Sequence, residues 1–198
     1  IASGALILLT WKLEGLKSLR IRRSQLLPLF LLSLTGIFGY CYLFFLGLQK
    51  TSASRASIII ACCPVTIAFS SSLLSKDRIP WASITGMLLA LLGVTIVISN
   101  GNPLLLIKGD LVLGDICVVG CVICWTTYTL LGKPLVNNMA PIAVVTWACS
   151  IGSIMILPFA IHSGLSAKVF DLRMQDWVAL FYLSIFATSL AYYWYYTG

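Results

Sequence analysis

Long uncharged stretches, each closed by a short cluster carrying Lys or Arg, run the length of this chain. Residues 24–49 carry no charge over 26 positions, 56–75 none over 20, and 79–107 none over 29. Residues 134–167 add 34 more, interrupted only by His162. A helix rises 1.5 Å per residue, so about 20 mainly apolar residues cross a ~30 Å hydrocarbon core. A helix of a soluble protein keeps one face polar, and these stretches do not. The pattern predicts seven helices, at 1–11, 26–48, 56–74, 81–99, 111–131, 142–161 and 177–196. Strands are excluded because the ~10-residue alternation of a membrane barrel is absent and backbone groups in lipid must bond within their own segment. The fold class is all-α, a polytopic transmembrane helix bundle.

Composition agrees: 60% of residues are hydrophobic and 10% charged, against about 25% charged in soluble domains. The net charge of +7 would suggest nucleic acid in a soluble protein. Here it reflects the gathering of Lys and Arg at cytoplasmic helix ends, so the partner is the lipid bilayer and no nucleic acid is expected. Alternate loops place Lys12, Lys17, Arg20, Arg22, Arg23, Lys76, Arg78 and Lys133 on one side. Lys50, Arg55, Lys108, Lys168 and Arg173 fall on the other. The richer side, with loops at 12–25, 75–80 and 132–141, is expected to be cytoplasmic, in a plasma (inner) membrane. The chain starts without Met and both ends lie in apolar runs, so it is expected to be part of a longer protein.

A shift of 151 residues superimposes Leu29, Phe30, Leu32 and Ser33 on Leu180, Phe181, Leu183 and Ser184, and Arg22 on Arg173. An odd number of crossings separates the two copies, which predicts inverted repeats, the arrangement of many secondary transporters. Specific motifs then accumulate in order. Gly39-Tyr40 precedes Phe44-Phe45-Leu46-Gly47-Leu48, followed by Thr51-Ser52-Ala53, Pro64, the short Lys76-Asp77-Arg78 turn, and Gly86 to Gly93. Gly114-Asp115 follows, with Trp125 and Tyr128 downstream. Over essentially its whole length the chain resembles the EamA-type members of the drug/metabolite transporter superfamily. The resemblance implies ten helices in two inverted five-helix repeats, of which this chain would hold the second to eighth. Residues 1–100 would be most of the first repeat and 111–198 the start of the second. It also implies export or exchange of amino acids, nucleosides or other small metabolites by alternating access. Asp77 stands where the family usually has Glu.

Candidate pathway residues are few. Arg55, at the start of its helix, is either a substrate-carboxylate receptor or a side chain snorkelling to the interface. Pro64 removes a backbone donor and interrupts its helix, freeing carbonyls that polar substrates can use. Trp125 and Tyr128 lie three apart on one face and are expected to form a cavity wall that stacks on flat substrates, while Tyr40, in the separate cluster with Tyr42, Phe44 and Phe45, is a further pathway candidate. Tyr192, in the run to Tyr196, is a further candidate, although Tyr and Trp also form belts at membrane interfaces. Asp115 is read as a charge complementing a helix N-terminus, and no carboxylate lies near a helix centre. The seven cysteines read as small packing residues rather than a metal or redox site, Cys121-x-x-Cys124 included. No phosphate-binding loop, metalloprotease helix or nucleophile elbow occurs, so the expectation is a non-enzyme with a small-molecule substrate and no cofactor. A cationic drug efflux carrier and a non-transporting scaffold or sensor subunit are the alternatives. The chain carries no signature of oligomeric state.

Overall fold

The computed structural model describes residues 2–15, 21–75, 79–98, 112–162, 172–191 and 194. All its regular structure is helical. Helix α1 spans Ala2–Glu14. Helix α2 is α-helical over Arg23–Ser33, π-helical over Leu34–Gly39 and α-helical again over Tyr40–Leu48. Helix α3 comes in two pieces, Ala53–Ala61 and Cys63–Ser75, parted at Cys62. Then follow α4, Trp81–Ile98; α5, Leu113–Val136; and α6, Pro141–His162. Helix α7 is α-helical over Met174–Tyr182 and π-helical over Leu183–Leu190. Each coincides with a helix expected from the uncharged stretches. Among the described residues, four helical runs are long and apolar enough to cross a membrane: Arg23–Leu48, Ala53–Leu74, Leu113–Val136 and Pro141–His162. The protein is an all-α polytopic helix bundle of the membrane.

The helices gather into two compact units, one of residues 1–38 and 131–198, the other of residues 39–130. In the first, α6 is the buried centre, with a run from Ile142 to Thr146 closed off from the surface. Its Val145 and Cys149 meet Leu6 of α1, and Ile37 packs against them. The hydroxyls of Thr10 and Thr146 lie 2.7 Å apart, each also beside the carbonyl one turn earlier, Leu6 O at 2.7 Å and Ile142 O at 2.8 Å. Such paired hydroxyls join apolar helices that have no hydrophobic force between them in lipid. Gly152 admits α2 closely: a Cβ there would stand 2.5 Å from Ile37 Cβ.

Two local features recur at the 151-residue spacing. The N–H of Arg22 donates to Gln25 Oε1 at 2.9 Å as α2 begins, and the N–H of Arg173 donates to Asp176 Oδ2 at 2.9 Å as α7 begins. Both are side chains at the third helical position reaching back to cap the helix start. The shift also carries Leu34–Gly39 onto 185–190, inside the second π-helical segment. Such segments are rare and tend to occur at functional sites, so a repeated one is informative.

Candidate functional site

The second unit holds most of the sequence candidates, beginning with an aromatic row. In α2, Tyr40 stacks on Phe44, with centroids 5.8 Å apart and planes 9° apart, because the two lie one turn apart on one face. Across to α5, Tyr40 meets Trp125 at 5.5 Å and 55°. Trp125 stacks on Tyr128 at 5.3 Å and 25°, as their spacing of three predicts. The structure thus brings Tyr40, Trp125 and Tyr128 together. Tyr128 is only 3% exposed, whereas Tyr40 and Trp125 are half-buried, so the accessible ring surface belongs to those two.

Beside this row, α3 is broken. Cys62 leaves the helix with ψ −11°, its N–H donating to Ile59 O at 3.1 Å rather than one residue further back. Pro64 is the second residue of the new piece, in the first turn, where a missing N–H has no helical acceptor to lose. The interruption expected at Pro64 therefore falls two residues earlier, at Cys62. Just past it, the hydroxyls of Thr66 and Thr126 lie 2.8 Å apart, and Thr66 also lies 2.9 Å from Cys63 O. Thr126 adjoins Trp125 in α5, so this hydroxyl pair and the aromatic row share one helix.

Arg55 is placed by the start of α3. Ser52 caps that helix, its Oγ accepting from the Arg55 N–H at 3.3 Å, and the guanidinium reaches Asp115 Oδ2 at 2.7 Å. Asp115 is nearly sealed at 3% exposure, against 23% for Arg55. Its Oδ1 accepts from the Thr51 hydroxyl at 2.6 Å and its Oδ2 from the Val112 N–H at 3.2 Å. The expected cap at the start of α5 is there, with an ion pair added that neither reading of Arg55 contained. Its signal was present, since both residues start helices on the same expected side of the membrane. Gly114 allows the close approach: a Cβ would stand 2.7 Å from Lys50 C and Thr51 N. The Thr66–Thr126 pair was missed because threonines in apolar helices carry no pattern that marks a partner. Tyr192 lies outside the described residues.

Comparisons with known proteins place this geometry. An uncharacterized transporter of Bacillus subtilis (strain 168), YyaM, is 24% identical over 198 residues, all of this chain and 65% of that protein. A protein of Ancylobacter novellus named as the aromatic amino acid exporter YddG is 23% identical over 170 residues, 84% of this chain and 56% of that one. The chain thus spans less than two thirds of either relative's length. A solved crystal structure shares the fold, with a TM-score of 0.70 at 19% identity over 97% of this chain and 64% of the other. The pattern of the EamA-like transporter family matches residues 1–99 and 112–198. The chain belongs to the EamA-like transporter family.

Proposed function

We propose that the protein is a secondary carrier that exports or exchanges small neutral, zwitterionic or aromatic metabolites across the plasma membrane by alternating access. The observation that carries this reading is the half-buried Tyr40–Trp125 surface, backed by Tyr128 and bordered by the Thr66–Thr126 hydroxyls. Aromatic faces offer stacking to flat substrates, and hydroxyls beside a helix break offer hydrogen bonds inside a low-dielectric wall. A relative named as an aromatic amino acid exporter agrees with that chemistry. The π-helical segments at repeat-equivalent positions support two inverted repeats, with α2 and α7 bending there as access alternates. A substrate carboxylate at Arg55 would share its guanidinium with Asp115 or displace that partner.

The test is a metabolite export screen in cells with and without the full-length protein, followed by flux in proteoliposomes. Trp125→Ala is expected to cut flux of aromatic substrates about tenfold, the scale of losing one stacking contact of about 1.5 kcal/mol. Arg55→Ala reads out the carboxylate role through zwitterionic substrates at unchanged membrane abundance. Absence of any substrate-dependent flux from the full-length protein would instead support the scaffold alternative.

A further inference from the structure

The first unit contains a cavity of about 300 Å³ between the start of α2 and the end of α5. Its walls are Arg22, Ser24, Gln25 and Pro28 on one side and Pro134, Leu135 and Asn138 on the other. That volume is at the small end of ligand pockets, which run from ~300 to 1,000 Å³. The lining divides by chemistry. Arg22, Ser24, Gln25 and Asn138 form a rim of donors, and no lining residue among those described is a carboxylate. Gln25 spends its carbonyl oxygen on the Arg22 N–H, leaving its amide nitrogen to donate. Asn138 gives one amide hydrogen to Pro134 O at 2.9 Å and keeps a second. Pro28 and the buried Leu135 supply an apolar floor.

Position limits what such a cavity can hold. Residues 22–25 and 134–138 stand at the ends of the membrane runs Arg23–Leu48 and Leu113–Val136, the level of lipid head groups. On α2, beginning one residue past Gln25, Leu26, Leu27, Phe30 and Leu31 are exposed and apolar. A ligand seated here therefore meets cationic and amide donors at one end and a greasy helix surface at the other. Basic pockets between membrane helices on the cytoplasmic side bind anionic head groups, and this end is the one expected to be cytoplasmic. We propose that the cavity between the start of α2 and the end of α5 binds the phosphate of an anionic phospholipid, whose acyl chains lie along Leu26, Leu27 and Phe30. Arg22 makes the charge-assisted contact and Ser24, Gln25 and Asn138 complete the donor set.

Thermal unfolding of the full-length protein in detergent, titrated with phosphatidylglycerol, phosphatidylcholine or inorganic phosphate, tests this. Phosphatidylglycerol is expected to raise the midpoint saturably, and phosphatidylcholine to leave it unmoved. Arg22→Gln should weaken the response about tenfold, the scale of one hydrogen bond to a charged group, and Arg22→Lys should retain most of it. Ser24→Ala, which alters no charge, should also weaken it, while Lys12→Gln, exposed on α1 and outside the cavity, should weaken it less than Arg22→Gln. Equal losses in Lys12→Gln and Arg22→Gln, or no loss in Ser24→Ala, would mean general surface attraction and overturn the site. An equal response to inorganic phosphate would overturn the lipid as its occupant. Export by the same protein is a separate readout, so failure here leaves the transport reading standing.

Discussion

At the scale of single residues, the Arg55–Asp115 pair shows how a charge can sit at the edge of lipid. Asp115 is 3% exposed yet has three donors: the Arg55 guanidinium, the Thr51 hydroxyl and the Val112 N–H. Breaking a buried pair costs more than the pair contributes, because one charge is left desolvated and alone. Asp115→Ala orphans the Thr51 and Val112 donors while Arg55, 23% exposed, still reaches water, so it is expected to destabilise the protein by about 1–3 kcal/mol. A double replacement, Asp115→Leu with Arg55→Met, should recover most of that loss. Denaturation of Asp115→Leu, Arg55→Met and the double variant in a double-mutant cycle checks it, and additive losses would refute the pairing. Trp125 presents a different balance, since its half-buried ring keeps part of its face accessible.

At the scale of elements, three interruptions stand out: the break at Cys62 in α3 and the π-helical segments of α2 and α7. A π-helical turn holds weaker, wider backbone bonds than the α-helix on either side. Hydrogen exchange is expected to be fastest within 34–39 and 183–190 of their helices, and protection of both segments should change together when substrate is added. Peptide-resolved exchange by mass spectrometry checks this, and a response in one segment alone would count against equivalent roles. Pro64→Ala is expected to shift stability by less than about 1 kcal/mol, because in a first turn the restored N–H gains no obligatory acceptor. The start of α5 is less forgiving. Gly114→Ala would drive a methyl to 2.7 Å from the Lys50 and Thr51 backbone, where no side chain can yield. It should cost about 1–3 kcal/mol, the usual range for overpacking, read as a lowered unfolding midpoint.

At the scale of the whole molecule, the orientation expected from the basic loops sets what each end of the bundle would meet. With the basic loops at 12–25, 75–80 and 132–141 in the cytoplasm, single cysteines replacing Ser24 and Asn138 in a cysteine-free background should be labelled only from inside. One replacing Ser52 should be labelled only from outside. Labelling of intact cells with an impermeant maleimide checks the arrangement, and reversed labelling would invert it.

Among the described residues, hydropathy alone determined the place and type of the helices, because a bilayer demands long apolar segments whose backbone groups bond internally. The stacking of Trp125 on Tyr128 was legible too, since a spacing of three within one helix puts two side chains on one face. The approach of Tyr40 to Trp125, the Thr66–Thr126 and Arg55–Asp115 pairs, and the cavity at Arg22 were decided only by tertiary structure. Each depends on which faces of different helices meet. In lipid that choice is made by close packing and a few hydrogen bonds rather than by the apolar pattern, which is nearly uniform around α1, α2, α4, α5 and α6. The π-helical segments belong to the same class, because their extra residue per turn leaves no mark in composition and emerges only where neighbouring helices accept it.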